Sequence, residues 1–224
     1  MTYDTPRLRS DADLLYAAEL LHRIGNNYTR IILFASIMAS NATSGEAKSA
    51  LRAVIDCLQA DAETHRVLRP PTDDSLVDFS DAVARLCQAM AAAFQSAGRE
   101  LDLRLELNDP IMLQSWRSWH ACLIVAELIT NACRHACSFT PVKVLVSINA
   151  CDQQVYCRVV NDGSAYASAR RGLGTQLIDS LAEKLDGFVE RRFNRFGAAV
   201  TICFPYHDAG VFPFDFANCR PSIA

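Results

Sequence analysis

Glu19, His22 and Asn26 stand at positions i−3, i and i+4 of the stretch ELLHRIGNN, so on a helix they share one face. A neutral imidazole nitrogen is a nucleophile. A carboxylate can orient it and raise its basicity, and an amide can hold a water or a phosphoryl oxygen. On these residues alone, a polar stripe on a bundle surface with an inert His22 is the simpler reading.

A second constellation lies in AELITNACRHA (126–136), where Glu127, Asn131, Arg134 and His135 fall at i, i+4, i+7 and i+8. Thr130 aside, the rest of that stretch is Leu, Ile, Ala and Cys, so a buried helix would carry one polar stripe that needs partners. Magnesium and phosphate would supply them, because amide and carboxylate oxygens suit a hard cation and Arg suits phosphate. A helix with an exposed polar edge is the competing reading, weakened by the apolar flanks. The third is VVNDGSAYASARRGLGTQL (159–177), where a strand runs into Asn-Asp-Gly and a short loop leads to Gly-Leu-Gly at a helix start. Glycines there let backbone N–H groups approach a phosphate, with Arg170 and Arg171 beside them. Alone, each half of this motif is also an ordinary turn.

These residues need elements to position them. Leu14, Leu21, Ile24, Tyr28, Ile31, Ala35 and Met38 recur at helical steps and predict a helix to about Ala39, capped by Ser10 or Asp11. SNATSGE breaks it. A second helix from about Glu46 to Leu68 ends at Pro70 and Pro71. Such a hairpin cannot bury both apolar faces alone, and dimerisation into a four-helix bundle supplies the missing cover. Beyond the prolines the pattern predicts a helix over 78–97 closed by Gly98, and a strand LDLRLEL (101–107). A helix from Trp116 to Cys137 follows, then strands VKVLVSINA and VYCRVVND around CDQQ. A helix GLGTQLIDSLAEKLD and a last pair of strands, FVERRF and AAVTICF, complete the set. The expected fold class is α+β: an N-terminal antiparallel helical hairpin (1–71), then an α/β sandwich (72–208) and a tail (209–224) that docks on that domain or meets a partner.

Composition narrows the classes. The chain has 224 residues, half of them apolar, with 22 basic against 25 acidic side chains and a net charge of −3. A general nucleic-acid binder would need a basic face, so none is expected. Apolar runs such as IILFASIMAS fall short of the ~20 residues that span a bilayer, so no membrane insertion is expected. Nine cysteines at irregular spacings, with no CxxC pair, read as reduced thiols of a cytoplasmic protein. His65 reads as a packing or capping residue of the second helix, and the lone His120 and His207 lack metal-ligand spacing. Trp116 and Trp119 read as core.

Taken in order, the three constellations resemble the core of a bacterial histidine kinase of the HisKA_2/HWE-like group. LLHRIGNN is similar to that group's phosphoacceptor helix, and AETHRVLRP to its usual second-helix ending. AELITNACRHA resembles the N box of the GHKL (Bergerat) ATPase domain, and NDG and GLG its G1 and G2 boxes. The resemblance implies that His22 is phosphorylated; Asn26 of the same motif and Glu19, which shares the face by spacing, complete the candidate catalytic set. It implies that ATP and Mg2+ are bound: Asn131 holds the magnesium bridging the phosphates, with Glu127 nearby and Arg134 and His135 on the same stripe. Asn161 would hydrogen-bond the adenine amine, and Gly163, Gly172 and Gly174 would shape the pocket and lid; Arg171, beside them, is placed to pair with phosphate oxygens. The implied partners are a second copy through the hairpin, a response-regulator receiver domain that meets Leu21, Ile24 and Tyr28, and an upstream sensor protein, since no sensor domain is read in the chain.

Asn161 stands where the G1 box normally begins with Asp. Ser164 and Ala165 replace its second glycine, eight residues separate Gly163 from Gly172, and Ala198 stands where a Thr is usual. Three functions therefore compete: a kinase, a histidine phosphotransferase whose second domain does not use ATP, and a non-catalytic receiver-binding module. The kinase ranks first because a domain that had abandoned ATP need not keep Glu127, Asn131 and Arg134 together.

Overall fold

The computed structural model describes residues 7–134, 141–162, 172–194 and 197–206. In the first helix, side chains are described at Glu19 and from Arg23 onward. Helix α1 (Arg7–Asn41) folds back on α2 (Gly45–Val67) across three residues. Ser44 starts α2: its backbone is extended and its hydroxyl accepts from Ala47 N at 3.4 Å. α1 is already helical at Arg7, ahead of the expected caps Ser10 and Asp11. Arg-Leu-Arg is good helix-forming sequence, so nothing stops the helix at those residues. Leu68, whose N–H returns to Thr64 O, ends α2 before Pro70 and Pro71.

Ala35 is the one buried hydrophobic residue among the described side chains of the hairpin, and α2 has none buried. Ile24, Ile31 and Met38 stay exposed at seven-residue steps, with Leu33, Phe34 (65% exposed) and Ile37 beside them. Covering such a side chain stabilises by roughly 1.5–3 kcal/mol.

β1 (Leu76–Asp78) leads into α3 (Phe79–Ser96), where Asp78 Oδ1 accepts from Ser80 N and Asp81 N at 2.9 and 3.2 Å. Gly98, at φ +70°, closes α3: its N–H and that of Arg99 return to Gln95 and Phe94 carbonyls, a conformation glycine takes without penalty. β2 (Leu101–Leu107), β3 (Met112–Gln114) and α4 (Ser115–Arg134) follow. β1 and β3 pair antiparallel as a two-stranded sheet that the sequence pattern does not announce.

β4 (Val142–Cys151) and β5 (Gln154–Asn161) form a hairpin in full register, from Cys151 opposite Gln154 to Val144 opposite Asn161. Its turn residues Asp152 and Gln153 both have positive φ, 51° and 59°, as a two-residue type I′ turn demands. α5 (Leu173–Lys184) follows, then β6 (Phe188–Asn194) and β7 (Gly197–Pro205), and the five-stranded sheet runs β2-β4-β5-β7-β6. Val144, Val146, Ile148, Val155, Cys157, Val159, Ile202 and Phe204 alternate along the strands and are buried. α4 packs on β4 and β5 and against α5, so Ile124, Val125, Ile129, Leu181 and Leu185 complete that core. This is the α+β class expected.

The chain divides into two compact units. One gathers the described residues through Thr72 with Arg85–Leu101; the other holds Asp73–Ala84 and the described residues from Asp102 onward. Seven cysteines are described, all as reduced thiols. Burial pushes the Cys87 thiol up to about 12. No helix of the described residues is long and apolar enough to cross a membrane.

Candidate functional site

His22 lies in the middle of α1. Glu19, one turn earlier, accepts from Arg23 Nε at 2.7 Å, an exposed i,i+4 pair of the kind that contributes about 0.3–0.5 kcal/mol. Asn26 is exposed. Tyr28 turns inward, its ring 5.3 Å from that of His65, so His65 has a packing role. Burial, then Asp61 and Cys57, raises the Tyr28 hydroxyl above its ordinary value.

In the second unit, the i,i+4 spacing on α4 lets Asn131 Nδ2 donate to Glu127 Oε1 at 3.1 Å. Both residues are half-buried, among buried Ile124, Val125, Leu128, Ile129, Ala132 and Cys133. That bond uses the amide N–H, so Asn131 Oδ1 and Glu127 Oε2 keep their acceptor capacity. Magnesium commonly takes one or two protein oxygens and completes its shell with water and substrate phosphates. No cluster of three or more His, Cys, Asp or Glu ligands occurs among the described residues. Arg134 is exposed in the last turn of α4. His135, Gly163 and Arg171 lie outside the described residues.

Gly174, in the first turn of α5, sits directly against the Glu127 carboxylate. A Cβ at 174 would overlap Glu127 Oε1, so glycine is what lets the two helices meet there. Gly172 is the N-cap of α5 and contributes no side-chain hydrogen bond, which leaves the first-turn N–H groups without that partner. The tertiary structure thus brings Glu127, Asn131, Gly172 and Gly174 into one neighbourhood: an acceptor pair beside an uncapped helix N-terminus, which favours anions.

Asn161 ends β5, opposite Val144 on one side and Ala198 on the other. Gly197 has φ +148°, and a Cβ there would strike the Asn161 carbonyl oxygen, so this position also needs glycine. Asp162, adjacent to Asn161, accepts from Lys143 N at 3.0 Å and donates its own N–H to Lys143 O at 3.3 Å. Its carboxylate therefore holds the start of β4.

Sequence reasoning does not single out Arg117. Its guanidinium donates to Leu185 O at 3.1 Å and Pro205 O at 2.8 Å and lies 5.7 Å from the centre of the Phe204 ring. It ties the start of α4 to the ends of α5 and β7; an arginine in the sequence carries no sign of being used this way. His120 sits near it with Nε2 buried and, among the described residues, without a hydrogen-bond partner. Burial, then Lys184 and Arg117, pushes its imidazole from 6.5 down to about 4. Because the folded value is depressed, the neutral-histidine contribution is fully present above pH 6.5 and is lost as pH falls toward 4, where the unfolded chain binds the proton first. Denaturant midpoints at about pH 7.5 and about pH 5 test this: wild type falls between them, and His120→Gln falls by less.

Residues 19–94 match the HisKA_2 family model, described as histidine kinase. The histidine kinase domain of the Erythrobacter litoralis EL346 blue-light activated histidine kinase superposes with TM-score 0.56 at 16% identity, covering 81% of this chain and 94% of that one. The longer EL346 structure gives TM-score 0.52 at 18% identity, over 83% of this chain and 60% of that one. Full-length ShkA, in complex with AMPPNP, gives 0.50 at 18% identity, over 87% of this chain and 46% of that one. At such identities these likenesses establish the fold. No curated protein matches in sequence. The resemblance to a histidine kinase core stands, the family model covering the phosphoacceptor stretch and the solved structures sharing the fold.

Proposed function

We propose, from the premise that this chain carries a histidine kinase core, that it binds ATP with magnesium, phosphorylates His22 and passes the phosphoryl group to a response-regulator aspartate. The observation that carries the reading is the Asn131–Glu127 pair seated against Gly174. Asn131 Oδ1 would hold the magnesium, with Glu127 as its support. The N-terminus of α5 would face the phosphates, Arg171 and Arg134 would add cations, Gly163 and His135 would belong to the nucleotide pocket, and Asn161 would accept from the adenine amine. The γ-phosphoryl group leaves ADP for an imidazole nitrogen of His22. It then moves to the carboxylate of the receiver, which regenerates the imidazole. Transfer of this kind depends on positioning and charge neutralisation. The test is incubation of the purified chain with γ-labelled ATP and magnesium: acid-labile, alkali-stable label is expected.

The phosphotransferase reading draws on a different observation. Asn161 is uncharged, Asp162 is committed to Lys143, and Ala198 faces Asn161. A neutral hydrogen bond is roughly half as strong as a charge-assisted one, so adenine would be held more weakly. No label from ATP, with label on His22 once a phosphorylated receiver is added, would select that reading. Label by either route excludes a module that only binds receivers.

A homodimer through the hairpin would cover the exposed Ile24–Ile31–Met38 stripe. Phe34→Glu places a charge on that face, and we expect light scattering to shift from dimer mass to monomer mass.

A further inference from the structure

We infer that Arg69 binds the phosphoryl group at His22, and this rests on His22 being the phosphoacceptor. Arg69 follows the end of α2, and Pro70 restricts its backbone to extended conformations, so its long side chain starts from a defined place. That side chain reaches across to α1: a Cβ built on Gly25 would lie 3.2 Å from Arg69 Nη2. The missing side chain at 25 is therefore the notch in which the guanidinium rests. Gly25 is three residues after His22, on the same helix face and about 4.5 Å along it.

The neighbouring charges leave Arg69 free for this role. Glu63 is held by Arg66, at 2.8 and 2.6 Å, and Glu19 is held by Arg23 at 2.7 Å. Among the described residues, the Arg69 guanidinium has no hydrogen bond or ion pair, and it is exposed. Its planar donor fork suits two phosphoryl oxygens at once. On transfer, a phosphorus–nitrogen bond to the imidazole forms as the donor's bond to phosphorus breaks. Arg69 gains and loses no proton and neutralises the charge that arrives.

The experiment uses the full chain with two donors: ATP with magnesium, and phosphoramidate, which transfers phosphoryl to imidazole with release of ammonia and needs no nucleotide pocket. Arg69→Ala should slow phosphorylation by roughly tenfold with either donor, with the KM for ATP unchanged. Arg69→Lys should recover part of the rate, because it keeps the charge and loses the fork. Gly25→Leu fills the notch with a better helix former, so the same loss there comes from displacement of Arg69 rather than from a weaker hairpin. Rates of Arg69→Ala within twofold of wild type, or equal loss in Arg69→Lys and Arg69→Ala, overturn the proposal. Reaction that persists in His22→Gln instead overturns the acceptor assignment beneath it, and the two failures are told apart by that control.

Discussion

If the kinase reading holds, replacing His22 by Gln is expected to abolish acid-labile label from ATP while leaving the helical hairpin, and any self-association through it, intact. The amide of Gln has no nucleophilic nitrogen comparable to a neutral imidazole, so the loss is total rather than partial. Gln is at least as good a helix former as His, so α1 is not weakened by the change. Labelling with γ-labelled ATP, read beside circular dichroism and light scattering, checks both halves. Label that survives at a comparable level would move the acceptor elsewhere in the chain.

Under the kinase reading, Asn131→Ala is expected to lower the rate of labelling by roughly two or more orders of magnitude. The substitution removes the oxygen assigned to magnesium and also the N–H that Glu127 receives at 3.1 Å. Metal-assisted charge stabilisation is worth several kcal/mol, and each factor of ten in rate is about 1.4 kcal/mol. Alanine is the best helix former, so α4 remains and a loss of rate is not a loss of fold. Magnesium titrations of nucleotide binding by calorimetry separate the readings further. Under the phosphotransferase reading, Asn131→Ala leaves transfer from a phosphorylated receiver unchanged. Under the kinase reading, nucleotide affinity and labelling fall together.

Periodicity makes much of the fold legible in the amino-acid sequence. The hairpin, the long strands and the apolar helix with one polar stripe all follow from it, because burial of one face writes a period of 3.6 or 2 into the chain. The β1–β3 pair is not legible, since three-residue strands are too short to carry a period. The start of α1 lies earlier than its capping signals suggest, because Ser10 and Asp11 are capping residue types that here lie within the helix. Glu127 and Asn131 can be paired from their spacing alone, whereas Arg117 reads as an ordinary surface arginine until Leu185 and Pro205 are brought to it.

The sequence by itself determined the chemical vocabulary and the faces that carry it: His22 on one helix, Glu127 and Asn131 on another, and glycines at the start of a third. It also made the exposed stripe of the hairpin foreseeable, because two amphipathic helices cannot cover each other's whole apolar surface. Only the tertiary structure decided that Gly174 abuts Glu127, that Ala198 stands opposite Asn161, and that Arg69 rests in the gap left by Gly25. Periodicity records which face of an element is buried. It carries no record of which residue of a distant element arrives there, because that depends on crossing angle and strand register.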